Sequence, residues 1–353
     1  MSEEPEVTVR VVGEAGRLTL NRPRALNALN AGMCETIIEA LVAWRDDATI
    51  GHVLIDGAGE RAFCAGGDIR VVAESGKTDG AEARRFFHTE YRMNELLFRY
   101  PKPVVVNMGG ITMGGGVGIS APGRLRLATE RTLWAMPEGD IGLFPDVGGG
   151  WHLARLPGQT GVWAALTGAR LNGFDCADLD IATHIVTTSD ARNFLWQISG
   201  APAGEEPASQ DPVEAERASP PSALAGHRQD IDRLFAFDTV EEIVAALGAD
   251  GSDWARAQAD ILARKCPTTL KVALRLIREG AARTSFAEEM EVEYRLAVRM
   301  TRRHDFIDGV RAVIVDKDNA PRWEPATLAG VTDAMLDELF APLAAGEEWT
   351  PLA

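Results

Sequence analysis

From residue 6 to residue 107 the chain switches repeatedly between short β-rich runs and stretches of helical periodicity, a pattern that restricts it to α/β architectures. "EVTVRVVGEAGRLTLNRP" holds two such runs around "GEAG" and reads as a hairpin closed by Asn21-Arg22-Pro23. "NALNAGMCETIIEALVAWRDD" then sets Met33, Ile37, Ile38, Leu41 and Trp44 at helical spacing, with Asn30 as the N-cap. "GHVLIDG" is the next strand, residues 81 to 100 form a helix ended by "YPKP", and "VVVNMGG" is a buried strand. Residues 198–226, "ISGAPAGEEPASQDPVEAERASPPSALAG", are rich in Pro, Ala, Ser and Glu and lack apolar periodicity, as expected of a long surface connection or insertion. Helical periodicity dominates after it. The expected organisation is a core over 1–197, a connection over 198–226 and a mainly helical region over 227–353.

Charge excludes one class of partner. Lys and Arg number 36 against 52 acids, a net charge of -16, which argues against sequence-independent nucleic-acid binding. A phosphate-bearing ligand would need local Arg, Lys or backbone N–H groups. No apolar run reaches the ~18 residues of a membrane span, and "MSEEPEVTVR" lacks the basic and apolar regions of a secretory signal, so no membrane association and a cytoplasmic location are expected. Cys34, Cys64, Cys176 and Cys266 are far apart and read as reduced thiols. His52, His88, His152, His184, His227 and His304 form no HxxxH or HExxH pattern, and there is no G-x-S-x-G elbow. Neither a metal nor a separate cofactor is expected. What remains is carboxylate chemistry.

Two glycine loops, "FCAGGDIR" and "GGITMGGGVGIS", each follow a strand, and the second opens an apolar helix. Such loops either permit tight packing or aim free backbone N–H groups at one oxygen, as an oxyanion hole does. Gly116, Gly118 and Ala121 also fit G-x-G-x-x-A, with Glu130 as a ribose-binding acid, but Glu130 lies short of the usual spacing of about 20 residues. Glu90 interrupts an apolar helical stripe of Ala83, Phe86, Phe87, Met93 and Leu97. It is either an edge carboxylate paired with Arg85 or Arg92, or an acid facing a pocket that raises its pKa. In "WAMPEGDIGLFPDVGGG", Glu138, Asp140 and Asp146 stand among apolar residues. Glu138 and Asp146 are either helix-capping acids, Asp146 for a helix starting near Gly148, or a pair driven to different pKa values for acid–base work. Asp140 is expected to be structural.

"LNRPRALNAL", "AFCAGGDIR", "GGITMGGGVGIS" and "AMPEGDIGLFPDVGGG" resemble the crotonase, or enoyl-CoA hydratase/isomerase, superfamily over about residues 5 to 190. "MGGGVGIS", "ATERTLWAMPE", "IGLFPDVGG", "LTGARLNG", "MEVEYRLA" and "HDFIDGVRAVIVDKDNAPRWEP" are similar, more narrowly, to its 3-hydroxyisobutyryl-CoA hydrolase branch. The resemblance implies a spiral of ββα units with an acyl-CoA-binding core, followed by helices through which a homo-oligomer would form. It also implies that the N–H groups of Gly67 and Gly115 meet the thioester oxygen. Asp68, Ile69 and Arg70 would lie near CoA, with Arg70 a phosphate or ribose contact, and Glu90, Glu138 and Asp146 would occupy acyl-binding and catalytic positions.

The hydratases carry a first catalytic glutamate three residues after the oxyanion glycine, where this chain has Gly118. The implied activity is therefore hydrolysis of a short 3-hydroxyacyl-CoA, with Glu138 as base or nucleophile and Asp146 with Glu90 orienting the substrate hydroxyl. An enoyl-CoA hydratase or isomerase, and a catalytically silent CoA-binding protein, are the alternatives.

Overall fold

The computed structural model describes residues 4–198 and 222–352, so most of the 198–226 connection lies outside the described residues. The chain forms two compact units, each drawn from three stretches of sequence. One takes the N-terminal stretch through Gly67, Arg92–Trp134 and Arg170–Ala223; the other takes Asp68–Tyr91, Ala135–Ala169 and Leu224–Ala353.

The first unit carries the sheets. Its strands are β1 (Val7–Val12), β2 (Ala15–Leu20), β3 (His52–Gly57), β4 (Ala62–Cys64), β5 (Val104–Asn107), β6 (Ile111–Met113), β7 (Leu125–Ala128), β8 (Leu133–Ala135), β9 (Leu171–Asn172) and β10 (His184–Ile185). β1 and β2 form the expected hairpin, with Val12 opposite Ala15, so the turn narrows to Gly13-Glu14. The large sheet has the order β1-β2-β3-β5-β7-β10 and is parallel from β2 onward, while the small sheet is β4-β6-β8-β9. Each of β3, β5 and β7 thus crosses within a few residues to a short strand of the other sheet, and the chain then turns helical or irregular. This is the repeated ββα spiral that the sequence resemblance implies.

The crossings need close backbone approach. Gly110, between β5 and β6, has φ +100°, and a Cβ there would stand 2.7 Å from the Arg61 carbonyl oxygen. Asn27, fully buried, fastens the preceding crossing: its Nδ2 donates to the carbonyls of Ala58 and Ala62, and its Oδ1 accepts from Arg22 N–H. One face of the large sheet packs Ala15, Leu54, Val105 and Leu127 against Leu195 of the helix Thr188–Ile198. The helix Ala31–Arg45 begins as expected, with Asn30 accepting from Met33 N–H (2.9 Å) and burying Met33, Ile37, Leu41 and Trp44.

The second unit is mainly helical. Its C-terminal stretch contributes Arg228–Leu234, Val240–Asp250, Asp253–Leu262, Pro267–Gly280, Phe286–Met300, His304–Val310 and Asp333–Phe340. Side-chain caps from Thr239, Ser252, Ser285 and Thr332 satisfy amide groups that each helix start would otherwise leave open. Pro267–Gly280 packs on the helices Gly149–Leu153 and Thr160–Thr167. Among the described residues, no helix is long and apolar enough to cross a membrane.

The crossing geometry gives a contrast between two glycines. Gly110→Ala places a side chain at positive φ against a carbonyl and is expected to destabilise by at least about 2 kcal/mol. Gly248→Ala, inside the helix Val240–Asp250 with open space around it, is expected to stabilise by about 0.5–1 kcal/mol. Urea unfolding of the two variants checks both signs.

Candidate active site

The two glycine loops follow adjacent parallel strands, β4 and β6, which pair through Ala62–Ile111 and Cys64–Thr112. After β4, the Ala65–Gly67 segment is held from one side, since Ala65 N–H bonds to Leu26 O (3.1 Å) and Leu29 N–H to Gly66 O (2.8 Å). After β6, Gly114 takes φ +48° and caps the six-residue helix Gly115–Ser120, all of it buried. The loops meet: a Cβ on Gly66 would stand 4.0 Å from Gly115 N, and one on Gly116 would stand 2.3 Å from Cys64 O, so only glycine permits that approach. Gly67 and Gly115 N–H groups donate no hydrogen bond among the described residues. Two open N–H groups on adjoining loops are suited to a developing oxyanion, each donor being worth about 3 kcal/mol where removal has been measured.

The acids belong to the second unit. Glu138 opens a single 3-10 turn after Pro137, is buried, and leaves Oε2 without a hydrogen-bond partner. Burial and the neighbouring Asp146 charge push its pKa well above the ordinary carboxylate value, opposed in part by Lys265. Asp146 is also buried, and its Oδ2 accepts a 2.8 Å hydrogen bond from the Tyr91 hydroxyl. Burial raises its pKa to about 6, while the Tyr91 bond works the other way. Glu90 is buried with Oε1 unpartnered, and its pKa is raised well above normal by burial first, then by the charges of Asp146 and Glu138. These acids act on one another as a cluster whose members hold protons to different degrees.

Several expectations sharpen here. Asp146 does not cap a helix with its side chain: Gly148 is the N-cap of Gly149–Leu153 and no side-chain cap is made, because the carboxylate is taken by Tyr91. Glu90 is not an edge acid neutralised by an arginine, since the charges acting on it are both negative. The apolar stripe does hold, with Ala83, Phe86, Phe87, Met93 and Leu97 all buried, and Glu90 is buried with it. Asp140 is structural as expected, accepting from the Lys265 ammonium at 2.6 Å. Glu130 accepts from both N–H and Oγ1–H of Thr188, so it is already engaged and the ribose role has no basis. Arg70 is exposed and donates to Ile314 O (2.8 Å), while Asp68 precedes and Ile69 begins the helix Ile69–Gly76. Tyr91 and Glu293 were missed. Glu293 breaks the apolar face of Phe286–Met300 as Glu90 breaks its own stripe, and that interruption was the available signal.

A spiral of ββα repeats with two open glycine N–H groups, and a cluster of buried acids, define a crotonase-type acyl-CoA enzyme fold. The enoyl-CoA hydratase/isomerase family model matches residues 15–340, and the chain belongs to that family. It is 46% identical to the 3-hydroxyisobutyryl-CoA hydrolase of Danio rerio, over 96% of this chain and 90% of that protein. The Homo sapiens protein of the same name is 42% identical over 97% of this chain and 90% of its own length. Among solved structures, a carnitinyl-CoA dehydratase from Mycobacterium thermoresistibile is 43% identical with a TM-score of 0.88, covering 98% of this chain and 99% of that one. An enoyl-CoA hydratase from Rhodobacter sphaeroides is 39% identical with a TM-score of 0.87, covering 98% and 100%.

Raised acid pKa values carry a stability cost with a definite sign. A carboxyl that titrates higher in the folded than in the unfolded chain binds more protons when folded, so stability falls as pH rises through the interval between the two values. For Asp146 that interval runs from 3.8 to about 6. Asp146→Asn, which keeps an acceptor for Tyr91, is expected to stabilise by about 1–3 kcal/mol at pH 8. Below pH 4 the gain should vanish. Thermal melts of wild type and variant across pH 4 to 8 check the trend; a gain independent of pH would contradict it.

Proposed function

We propose that this chain hydrolyses 3-hydroxyisobutyryl-CoA to 3-hydroxyisobutyrate and CoA, as in valine breakdown, with no cofactor beyond the CoA of its substrate. The observation that carries the reading is Glu138, a buried carboxylate with one oxygen uncommitted and a raised pKa, in a chain that has Gly118 where a hydratase would have its other acid. The curated relatives named above support the same activity. In this proposal the Gly67 and Gly115 N–H groups receive the thioester oxygen as it gains negative charge. Glu138 either takes a proton from the attacking water or attacks the thioester carbon itself, forming an anhydride that water then hydrolyses to free the acid and the Glu138 carboxylate; in both routes the C–S bond breaks and the CoA thiolate leaves, to be protonated. Asp146, steadied by Tyr91, and Glu90 orient the 3-hydroxyl, and Asp68, Ile69 and Arg70 lie along the CoA moiety. The cytoplasmic location expected from the sequence draws no support from these relatives, whose names place them in mitochondria.

The two solved relatives, a carnitinyl-CoA dehydratase and an enoyl-CoA hydratase, favour a second reading, hydration or dehydration of an acyl-CoA. Adding water across a double bond is served by two carboxylates on one water, and the residue at 118 cannot supply one. Thiol release from 3-hydroxyisobutyryl-CoA, compared with loss of enoyl absorbance from crotonyl-CoA, separates the two. Free thiol is expected; enoyl loss without thiol would sink the hydrolase reading. Glu138→Ala is expected to lower thiol release by at least about 100-fold. Because Glu138 must be ionised to act, wild-type kcat/KM should fall as pH drops, with its midpoint above the ordinary carboxylate range. One turnover in oxygen-18 water distinguishes the routes: label recovered in Glu138 marks a covalent anhydride.

A further inference from the structure

Two buried carboxylates of the helical unit have no part in the proposed chemistry. Glu289 and Glu293 stand one turn apart on Phe286–Met300, both fully buried. Glu289 has a cation, since Arg283 pairs with it at 2.8 Å. Glu293 has amides instead: its two oxygens accept from the N–H groups of Gly148 (2.8 Å) and Gly150 (3.1 Å). Those donors lie two and four residues beyond Asp146. The turn between is folded back on itself, with Gly149 N–H bonded to Asp146 O at 2.8 Å.

That turn contains strain. Val147, a β-branched residue, sits at φ +54°, in the left-handed region, and Gly148 follows at φ +90°. A non-glycine residue held there costs about 1–3 kcal/mol and persists only where surrounding contacts impose it. Packing of Phe286 against Gly148 and of Leu276 against Gly150 surrounds the turn, and its hydrogen bonds are specific: Tyr91 on the Asp146 side chain, Gly149 on its carbonyl, and Glu293 on the amides of Gly148 and Gly150. The carboxylate of Glu293 thus spans the start of the helix Gly149–Leu153 and fixes the direction from which Asp146 projects.

We infer that Glu293 is a positioning residue of the hydrolase: by clamping the Val147–Gly150 turn it sets the aim of the Asp146 carboxylate, and it affects turnover only through Asp146. The inference rests on the catalytic assignment above. Its signature is loss of additivity, because removing the clamp cannot harm a carboxylate that is already gone.

The test is a double-mutant cycle of Glu293→Gln and Asp146→Asn, read as single-turnover CoA release from 3-hydroxyisobutyryl-CoA. Glu293→Gln keeps the volume but offers one acceptor and turns an amide toward the other N–H. It is expected to slow turnover at least about 10-fold, and the double variant should be within about 2-fold of Asp146→Asn alone. Multiplying losses in the Glu293 cycle, or a wild-type rate for Glu293→Gln, would overturn the inference. If Glu293→Gln does not fold, Glu293→Asp, which keeps the charge and withdraws it by one methylene, enters the same cycle with the same criterion. Wild type that releases no thiol would count against the hydrolase assignment itself, before the cycle is read.

Discussion

Ionised carboxylates are costly to bury, and the helical unit buries Glu90, Glu138, Asp146, Glu289 and Glu293. Three of them have a compensating partner. Arg283 neutralises Glu289, two glycine amides solvate Glu293, and the Tyr91 hydroxyl supports Asp146. Glu138 has a bond from its own backbone N–H and the pull of Lys265, and the charges acting on Glu90 are both negative. Burial still dominates: Glu293, like Glu90 and Glu138, is pushed well above the ordinary carboxylate value. Asp146, near pKa 6, is ionised at neutral pH, while Glu90 and Glu138 are held toward the protonated form. Such a ranking lets chemically similar groups take different roles in one reaction.

The sheet unit answers a different demand. Its repeats bring two short parallel strands, β4 and β6, side by side, and each ends in glycines whose amides are left open. Because Gly116 comes within contact of Cys64 O, a side chain at that position would separate the two loops before it affected any substrate. Packing and function are therefore not alternative explanations of these glycines. The close approach that tight packing needs is what brings the second loop's amides beside the first.

The legible parts of the sequence were those governed by short-range periodicity. The alternation of strands and helices, the Asn30 cap and the apolar stripe that Glu90 interrupts all depend on residues within a few turns of one another. The partners of Asp146 do not. Tyr91 lies 55 residues before it, and Glu293 reaches Gly148 across 145 residues, so local spacing could propose only a cap. The interleaved units have the same origin: the chain leaves the sheet unit at Asp68 and returns at Arg92, inside a continuous helix, where no change of composition marks the boundary. The open amides of Gly67 and Gly115 were visible only through resemblance, since a backbone N–H has no residue type of its own.

Gly118 lies in the helix Gly115–Ser120, every residue of which is buried. A glutamate there would be a further buried carboxylate, in a helix whose six residues include no cation. Glycine avoids that cost, and it also removes the second acid that hydration requires. A carnitinyl-CoA dehydratase and an enoyl-CoA hydratase are similar in fold to this chain, and a shared fold does not decide between the two reactions. The decision falls on where carboxylates are affordable. In this chain they are concentrated in the helical unit, around Glu138 and Asp146, and the buried helix behind the open amides carries none.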